Sequence, residues 1–99
     1  MSGKLFLLRL LPPRPDFAQT MTPVEHDAMA RHSAYWHELM AAGRVVVYGP
    51  VADPEGVWGL GVVRAGSQAE VVELGENDPV IADGIVTFDV AEIMGGITA

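Results

Sequence analysis

The stretch that decides the fold is residues 22–50, TPVEHDAMARHSAYWHELMAAGRVVVYGP. It opens with a helix start, because Thr22 is a favoured N-cap residue, Pro23 occupies the first helical position and Glu25 completes a capping box with Thr22. Gly43 provides the end, since glycine adopts the left-handed conformation without a Cβ clash. The stretch therefore predicts a helix of about five and a half turns between these signals.

This helix separates its side chains by chemistry at about 100° per residue. Its apolar residues form one stripe, which comprises Ala28, Met29, Tyr35, Trp36 and Leu39. The opposite side is polar or small, and it contains Asp27 and Arg31 at the spacing of an i,i+4 ion pair. His32 lies at the centre of the apolar stripe. An ionisable ring at that position is expected to face the core or a pocket, not open water.

Apolar and β-branched segments predict four strands, at residues 4–11, 44–48, 57–64 and 85–91. The second strand is expected to end at Gly49-Pro50. A capping box formed by Ser67 and Glu70 opens a second helix, which runs to about residue 76 and ends before Asp78-Pro79.

Residues 12–21 are predicted to be an irregular loop, because Pro12, Pro13 and Pro15 prevent regular pairing. The element order is β-α-β-β-α-β, which is the order of the ferredoxin-like α+β fold. In that fold both helices cover one face of a four-stranded antiparallel sheet. The other face is also expected to be covered, since the first three strands are apolar on both faces. Packing of two such sheets predicts a homodimer with a dimeric α/β-barrel architecture.

Composition limits the number of domains, the class of partner and the location of the protein. The chain has 99 residues, which predicts one domain over residues 1–99, and its net charge of −7 argues against nucleic acid and anionic lipid as partners. No apolar run approaches the ~20 residues of a membrane helix, and no signal peptide is recognised. The absence of cysteine fits a cytoplasmic protein.

The candidates for chemistry reduce to His32 and a carboxylate. A metal site is not expected, because His26 and His37 lie far apart on the polar face of the helix and His32 points elsewhere. One interpretation of His32 is a neutral core residue bonded to a backbone carbonyl or to Tyr48. The other pairs it with an acid from another segment, for which Asp78 is the best-placed candidate. Asp78 is also explained as an ordinary helix-terminating residue before a proline.

An ordered set of residues resembles the pattern of the YCII-related family: His32, Gly43, Gly49-Pro50, Ser67, Asp78-Pro79 and Gly84. The resemblance covers nearly the whole chain and implies a ferredoxin-like dimeric α/β barrel. It also implies a His–Asp dyad as the proposed active site, which corresponds to His32 and Asp78. The few activities assigned in the family are lyase- or dehydrochlorinase-like steps on small, often aromatic, molecules. The chain departs from the family in its proline-rich loop at 12–21 and in its short connection at 51–56.

Three hypotheses for function follow. In the first, an enzyme without a cofactor uses His32 as general base or acid, with Asp78 orienting the ring, on a small organic substrate. The expected substrate-binding residues are Trp36, Tyr48, Gly49, Pro50 and Trp58. In the second, the same pocket binds or senses a small metabolite without turnover. In the third, the protein is a structural dimer and His32 is a satisfied core residue.

Overall fold

The computed structural model describes residues 3–99, and within them the chain forms four strands and four helices. In chain order these are β1 (Lys4–Leu11), α1 (Phe17–Thr20), α2 (Pro23–Ala41), β2 (Val45–Val51), β3 (Trp58–Ala65), α3 (Gln68–Glu76), α4 (Pro79–Ala82) and β4 (Thr87–Ile93). The strands form one antiparallel sheet in the order β2-β3-β1-β4. This arrangement confirms the predicted ferredoxin-like α+β fold.

Helix α2 forms as its sequence predicts. The Thr22 hydroxyl accepts the Glu25 N–H at 3.2 Å, and the Glu25 carboxylate accepts the Thr22 N–H at 2.9 Å. Gly43 has φ +79°, the left-handed conformation expected just after a helix. Local signals alone therefore place the longest element of the fold.

The start of α3 differs from a reciprocal capping box. The Ser67 hydroxyl accepts the Glu70 N–H at 3.3 Å, as expected. The Glu70 carboxylate, however, accepts the N–H of Gly66 at 2.7 Å and not that of Ser67. The helix is still capped, because the Ser67 hydroxyl satisfies an amide of its first turn.

The core lies between the helices and one face of the sheet. Phe6 and Leu8 of β1 and Val63 of β3 are at most 1% exposed and point toward the helices. Trp36 of α2 fills the centre of this layer, where it packs against Gly61. A Cβ built on Gly61 would lie 2.6 Å from the indole ring. Helix α2 therefore approaches this strand so closely that only glycine fits at position 61.

Strand β2 is longer than predicted. It does not end at Gly49-Pro50 but continues through both residues to Val51, with Pro50 opposite Gly59. Proline is tolerated because β2 is an edge strand, so one side of its backbone has no partner strand and needs no N–H donor there.

Strand β4 begins and ends two residues later than the predicted 85–91. The N–H groups of Ile85 and Val86 donate to the Val80 carbonyl of α4 at 3.0 and 3.2 Å, which removes them from the sheet ladder. At the other end the strand includes residues 92–93, which pair with β1.

Two one-turn helices were not predicted. Helix α1 interrupts the segment expected to be an irregular loop, and its Phe17 is 5% exposed. Helix α4 follows Asp78, which is its N-cap, with Pro79 in the first turn. Among the helices of residues 3–99, none combines the length and the hydropathy needed to cross a membrane.

Candidate functional site

The His32 ring and the Asp78 carboxylate are hydrogen bonded. His32 Nδ1 lies 2.7 Å from Asp78 Oδ2, and the two side chains are 12% and 0% exposed. Helix α2 presents the ring on its inner side, and the turn between α3 and α4 presents the acid. The structure thus brings together two residues that are 46 positions apart in sequence. The ring bonds to this acid and not to Tyr48 or a backbone carbonyl.

Two further donors hold the Asp78 carboxylate. The indole N–H of Trp36 donates to Oδ2 at 2.6 Å, and the backbone N–H of Val80 donates to Oδ1 at 3.1 Å. The bond to Val80 is the N-cap interaction that starts α4, so the acid is fixed by the local structure that it creates. Three contacts thus satisfy both oxygens of a carboxyl group that has no contact with water.

The second ring nitrogen of His32 is available for chemistry. Because the carboxylate accepts at Nδ1, the neutral ring carries its proton there and leaves a lone pair on Nε2. Nε2 makes no hydrogen bond within the described chain, in which no buried side-chain nitrogen or oxygen lacks a partner. Nε2 is therefore not sealed in the core, and His32 lines a cavity.

This cavity lies beside α2 and the ends of β2 and β3, and its volume is about 350 Å³. It contains all the predicted substrate-binding residues together with the histidine, namely His32, Trp36, Tyr48, Gly49, Pro50 and Trp58. Asp78 is not part of the lining but lies behind it, bonded to His32 and Trp36. Most of the remaining lining is aliphatic. The cavity is therefore suited to an apolar ligand that presents a polar group to His32.

Two tryptophans of the cavity are held by carboxylates on different elements. Trp36 bonds to Asp78, whereas the indole N–H of Trp58 donates to Asp53 at 3.1 Å. The N–H of Glu55 and the indole of Trp58 together lower the pKa of Asp53. The guanidinium of Arg9 also lies 5.8 Å from the centre of the Trp58 ring.

The outer wall of the cavity is the segment of residues 12–21, whose role the sequence left open. Residues 12–21 contribute four side chains to the lining, those of Pro12, Phe17, Ala18 and Met21. The apolar Phe17 within a proline-rich segment was the available signal that this segment packs against the body of the protein. Its partners are set by the tertiary structure, so the pattern alone did not reveal them.

Arg14 attaches this segment to the start of α2. Its guanidinium binds the Glu25 carboxylate at 2.7 and 3.1 Å and the Thr20 carbonyl at 2.8 Å. The hydrogen bond from Arg14, followed by that from the Thr22 N–H, lowers the pKa of Glu25 to about 2. One carboxylate thus caps α2 and anchors the cavity wall.

Tyr35 lies outside the cavity but close to the acid. Its hydroxyl donates to the Leu74 carbonyl at 2.6 Å. Burial and then the negative charge of Asp78 raise the pKa of this tyrosine above its usual value of 10.0. The hydroxyl therefore remains a neutral donor that ties α2 to α3.

The three histidines do not converge. His26 and His37 are exposed on α2, while His32 faces inward. Within residues 3–99, no three His, Asp or Glu side chains are grouped so that they could hold a metal ion. The cluster that the fold assembles is instead the hydrogen-bonded set of His32, Asp78 and Trp36.

Comparison with known proteins agrees with the fold. The chain is similar to a solved structure of 5-chloro-2-hydroxyhydroquinone dehydrochlorinase (TftG) from Burkholderia phenoliruptrix AC1100, in complex with 2,5-dihydroxybenzoquinone. The two share 28% sequence identity with a TM-score of 0.68, over 93% of this chain and 95% of that chain. No curated protein matches the sequence. The model of the YCII-related domain matches residues 5–94, and the protein therefore belongs to the YCII-related family.

Proposed function

We propose that this protein is an enzyme that removes a proton from a small hydroxylated aromatic compound and promotes an elimination or isomerisation. His32 is the general base, and Asp78 is the residue that orients it. The observation that carries the proposal is the 2.7 Å hydrogen bond between His32 Nδ1 and the fully buried Asp78, in a histidine whose ring also lines a cavity.

The cavity supports an aromatic substrate class. A volume of about 350 Å³ is at the lower end of the range for small-molecule sites, which suits a single substituted ring. Trp36, Tyr48 and Trp58 offer aromatic surface, and His32 offers one polar contact. The similarity to a dehydrochlorinase solved with a dihydroxybenzoquinone points in the same direction.

The chemistry of the pair follows from its geometry. Nε2 would accept a proton from a ring hydroxyl, and the imidazolium that forms would be stabilised by Asp78 at Nδ1. In an elimination, Nε2 returns this proton to the ring carbon that carries the leaving group, which gives a non-aromatic ketone. Nε2 then takes a proton from a second ring hydroxyl, the electrons of that O–H bond expel the anion as the ring becomes a quinone, and the proton leaves His32 for water before the next cycle. A positioned base of this kind contributes a factor of about 10²–10⁴ to the rate.

The direct test is release of chloride from 5-chloro-2-hydroxyhydroquinone by the purified protein. We expect turnover by the unmodified chain, loss of about 10²–10⁴-fold in His32→Gln, and unchanged turnover in His37→Gln. His37 is the matched control because it is an exposed histidine on the same helix. Equal rates in the two variants would contradict the proposal, as would the absence of turnover with chlorinated and unchlorinated hydroxyaromatics alike.

We also propose that the active form is a homodimer joined through the open face of the sheet. The face away from the helices carries Leu7, Leu60 and Val62, and Val47 is 47% exposed at its edge. A second copy of the same sheet is the partner that matches this apolar surface, giving the dimeric α/β barrel. Leu60 also lines the cavity, so the interface would adjoin the site.

Analytical ultracentrifugation tests the dimer. We expect a dimer at micromolar concentration and a shift toward monomer in Val62→Asp. Val24→Asp is the matched control, since Val24 is 71% exposed at the start of α2 and away from the sheet. A stable monomer in the unmodified protein would refute the proposal.

A binding module without turnover is the second candidate. The observation that favours it is the largely apolar lining, which supplies affinity without chemistry. Thermal-shift screening of hydroxyaromatic compounds distinguishes the two functions. A compound that raises the unfolding temperature and is recovered unchanged after long incubation supports binding alone, whereas recovery of a product supports the enzyme.

A further inference from the structure

Trp36 is expected from sequence to be a wall of the pocket, but its only polar atom is used elsewhere. The indole N–H donates to Asp78 Oδ2 at 2.6 Å, and that oxygen is the one bound by His32 Nδ1. His32 and Trp36 are four residues apart on α2, so the helix presents both donors to one carboxylate oxygen. From this shared contact we propose that Trp36 is a positioning residue, which acts through Asp78 to hold the His32 ring in its reactive orientation.

The orientation of the indole is fixed from two other sides. Gly61 of β3 leaves a notch for the ring, because a Cβ there would lie 2.6 Å from Cη2 and 2.7 Å from Cζ3. The Tyr48 ring covers it at a centroid distance of 5.9 Å. Trp36 is itself only 1% exposed. The indole is therefore held so that its N–H points at the carboxylate, with little freedom to turn away.

The three bonds to Asp78 have different roles. The Val80 N–H fixes Oδ1 and belongs to the backbone of α4. The His32 bond changes whenever the ring gains or loses a proton, whereas an indole N–H does not titrate and stays a donor throughout a reaction cycle. Trp36 thus keeps one lone pair of Oδ2 occupied and directs the other toward Nδ1. The effect of Trp36 on the reaction rate rests on the proposed function. Its effect on the orientation of the His32 ring does not, because that can be measured without a substrate.

The sharpest variant replaces Trp36 by 3-benzothienylalanine, in which a sulfur takes the place of the indole N–H while the ring keeps its shape. The same replacement at Trp58 is the matched control, since that N–H donates to Asp53 and not to Asp78. The sequence contains two tryptophans, so each is addressed individually. Trp36→Phe provides a genetically encoded second variant.

The readout is ¹⁵N NMR of the histidine ring nitrogens, which reports the tautomer. The exposed His26 and His37 serve as internal references. We expect the neutral His32 ring of the unmodified protein to be in the Nδ1–H form and to become a mixture of both tautomers when position 36 loses its donor. Replacement at position 58 is expected to leave the His32 tautomer unchanged. An unchanged tautomer in a folded position-36 variant overturns the proposal.

The kinetic readout separates this proposal from the function on which it rests. With a turned-over hydroxyaromatic substrate, we expect kcat of the position-36 variant to fall about 10- to 100-fold, as for the outer residues that orient metal-bound histidines, with a smaller change in KM. A tautomer change with no turnover in any form of the protein would keep the positioning role and reject the enzyme.

A measurement on the unmodified protein tests the proposal even if the variants do not fold. Hydrogen exchange of the two indole N–H groups compares Trp36, buried and bonded at 2.6 Å, with the more exposed Trp58, bonded at 3.1 Å. We expect the Trp36 N–H to exchange much more slowly. Equal exchange rates would show that the shared contact does not persist in solution and would overturn the proposal.

Discussion

Two walls of the same cavity are held in different ways. The inner wall carries His32 and Trp36, which are fixed by hydrogen bonds to a carboxylate that is 0% exposed. The outer wall is the segment of residues 12–21, which is fixed by a partly buried ion pair between Arg14 and Glu25.

The two walls are therefore expected to differ in how easily they move. A buried, fully bonded carboxylate has a high cost if any one donor is lost, because water cannot replace it. An ion pair that water can reach is screened by salt, and water can replace a lost partner there. The inner wall is therefore suited to hold reacting groups, while the outer wall is suited to vary with the ligand. Four perturbations, from the largest expected effect to the smallest, test this contrast.

Asp78→Asn is expected to have the largest effect, because an amide cannot accept from all three donors that surround the acid. We expect turnover to fall by about 10²–10⁴-fold and the free energy of unfolding to fall by about 1–3 kcal/mol. Chloride release and urea denaturation measure the two effects. Asp83→Asn is the control, an exposed acid paired with Arg31. Equal effects of the two substitutions would remove the distinction between a buried and an exposed acid.

Gly61→Ala tests the fit of Trp36 in the inner wall. The new Cβ would lie 2.6 Å from the indole, so we expect the free energy of unfolding to fall by about 1–3 kcal/mol. Gly49→Ala is the control in the same sheet, because a Cβ there meets no atom within 4 Å. Thermal denaturation compares the two. A Gly61→Ala protein as stable as Gly49→Ala would indicate that the ring is free to move.

Arg14→Gln tests the attachment of the outer wall. We expect faster proteolytic cleavage within residues 12–21, because the substitution removes the bonds to Thr20 and Glu25 while leaving the hydrogen bonds of Asp78 in place. Arg31→Gln is the control, since it breaks two ion pairs that are exposed and lie outside the cavity. Limited proteolysis followed by mass spectrometry measures the rate at each site. Equal cleavage in the two variants would contradict the anchoring role.

Glu25→Gln is expected to have the smallest effect of the four, and this effect is expected to be present at neutral pH and to disappear in acid. The pKa of Glu25 is lowered from 4.5 to about 2, so its stabilising contribution is fully present above pH 4.5 and is lost as pH falls toward 2. The stability difference between the unmodified protein and the variant is therefore expected to shrink across this window. Urea denaturation at several pH values and low salt measures it. A difference that is constant from pH 6 to pH 2 would contradict the assignment.

The predictions made from sequence succeeded where the signals were local. The bounds of β1 agree with the predicted residues 4–11, and α2 begins and ends at the predicted cap and glycine. The errors occurred where partners distant in sequence decide the structure. Strand β2 continues through Pro50 because it is an edge strand, and residues 85–86 leave the ladder because α4 takes their N–H groups. Neither fact is encoded in the segment itself.

The sequence by itself determined the α+β order of elements and the inward placement of His32, and it offered Asp78 as the best-placed acid, because capping residues, periodicity and proline act within a few positions of the chain. Only the tertiary structure decided that Asp78 is the partner, that Trp36 shares the same oxygen and that residues 12–21 close the cavity. These contacts join segments separated by tens of residues. Their geometry depends on how α2, α4 and the sheet pack together, which no local pattern specifies.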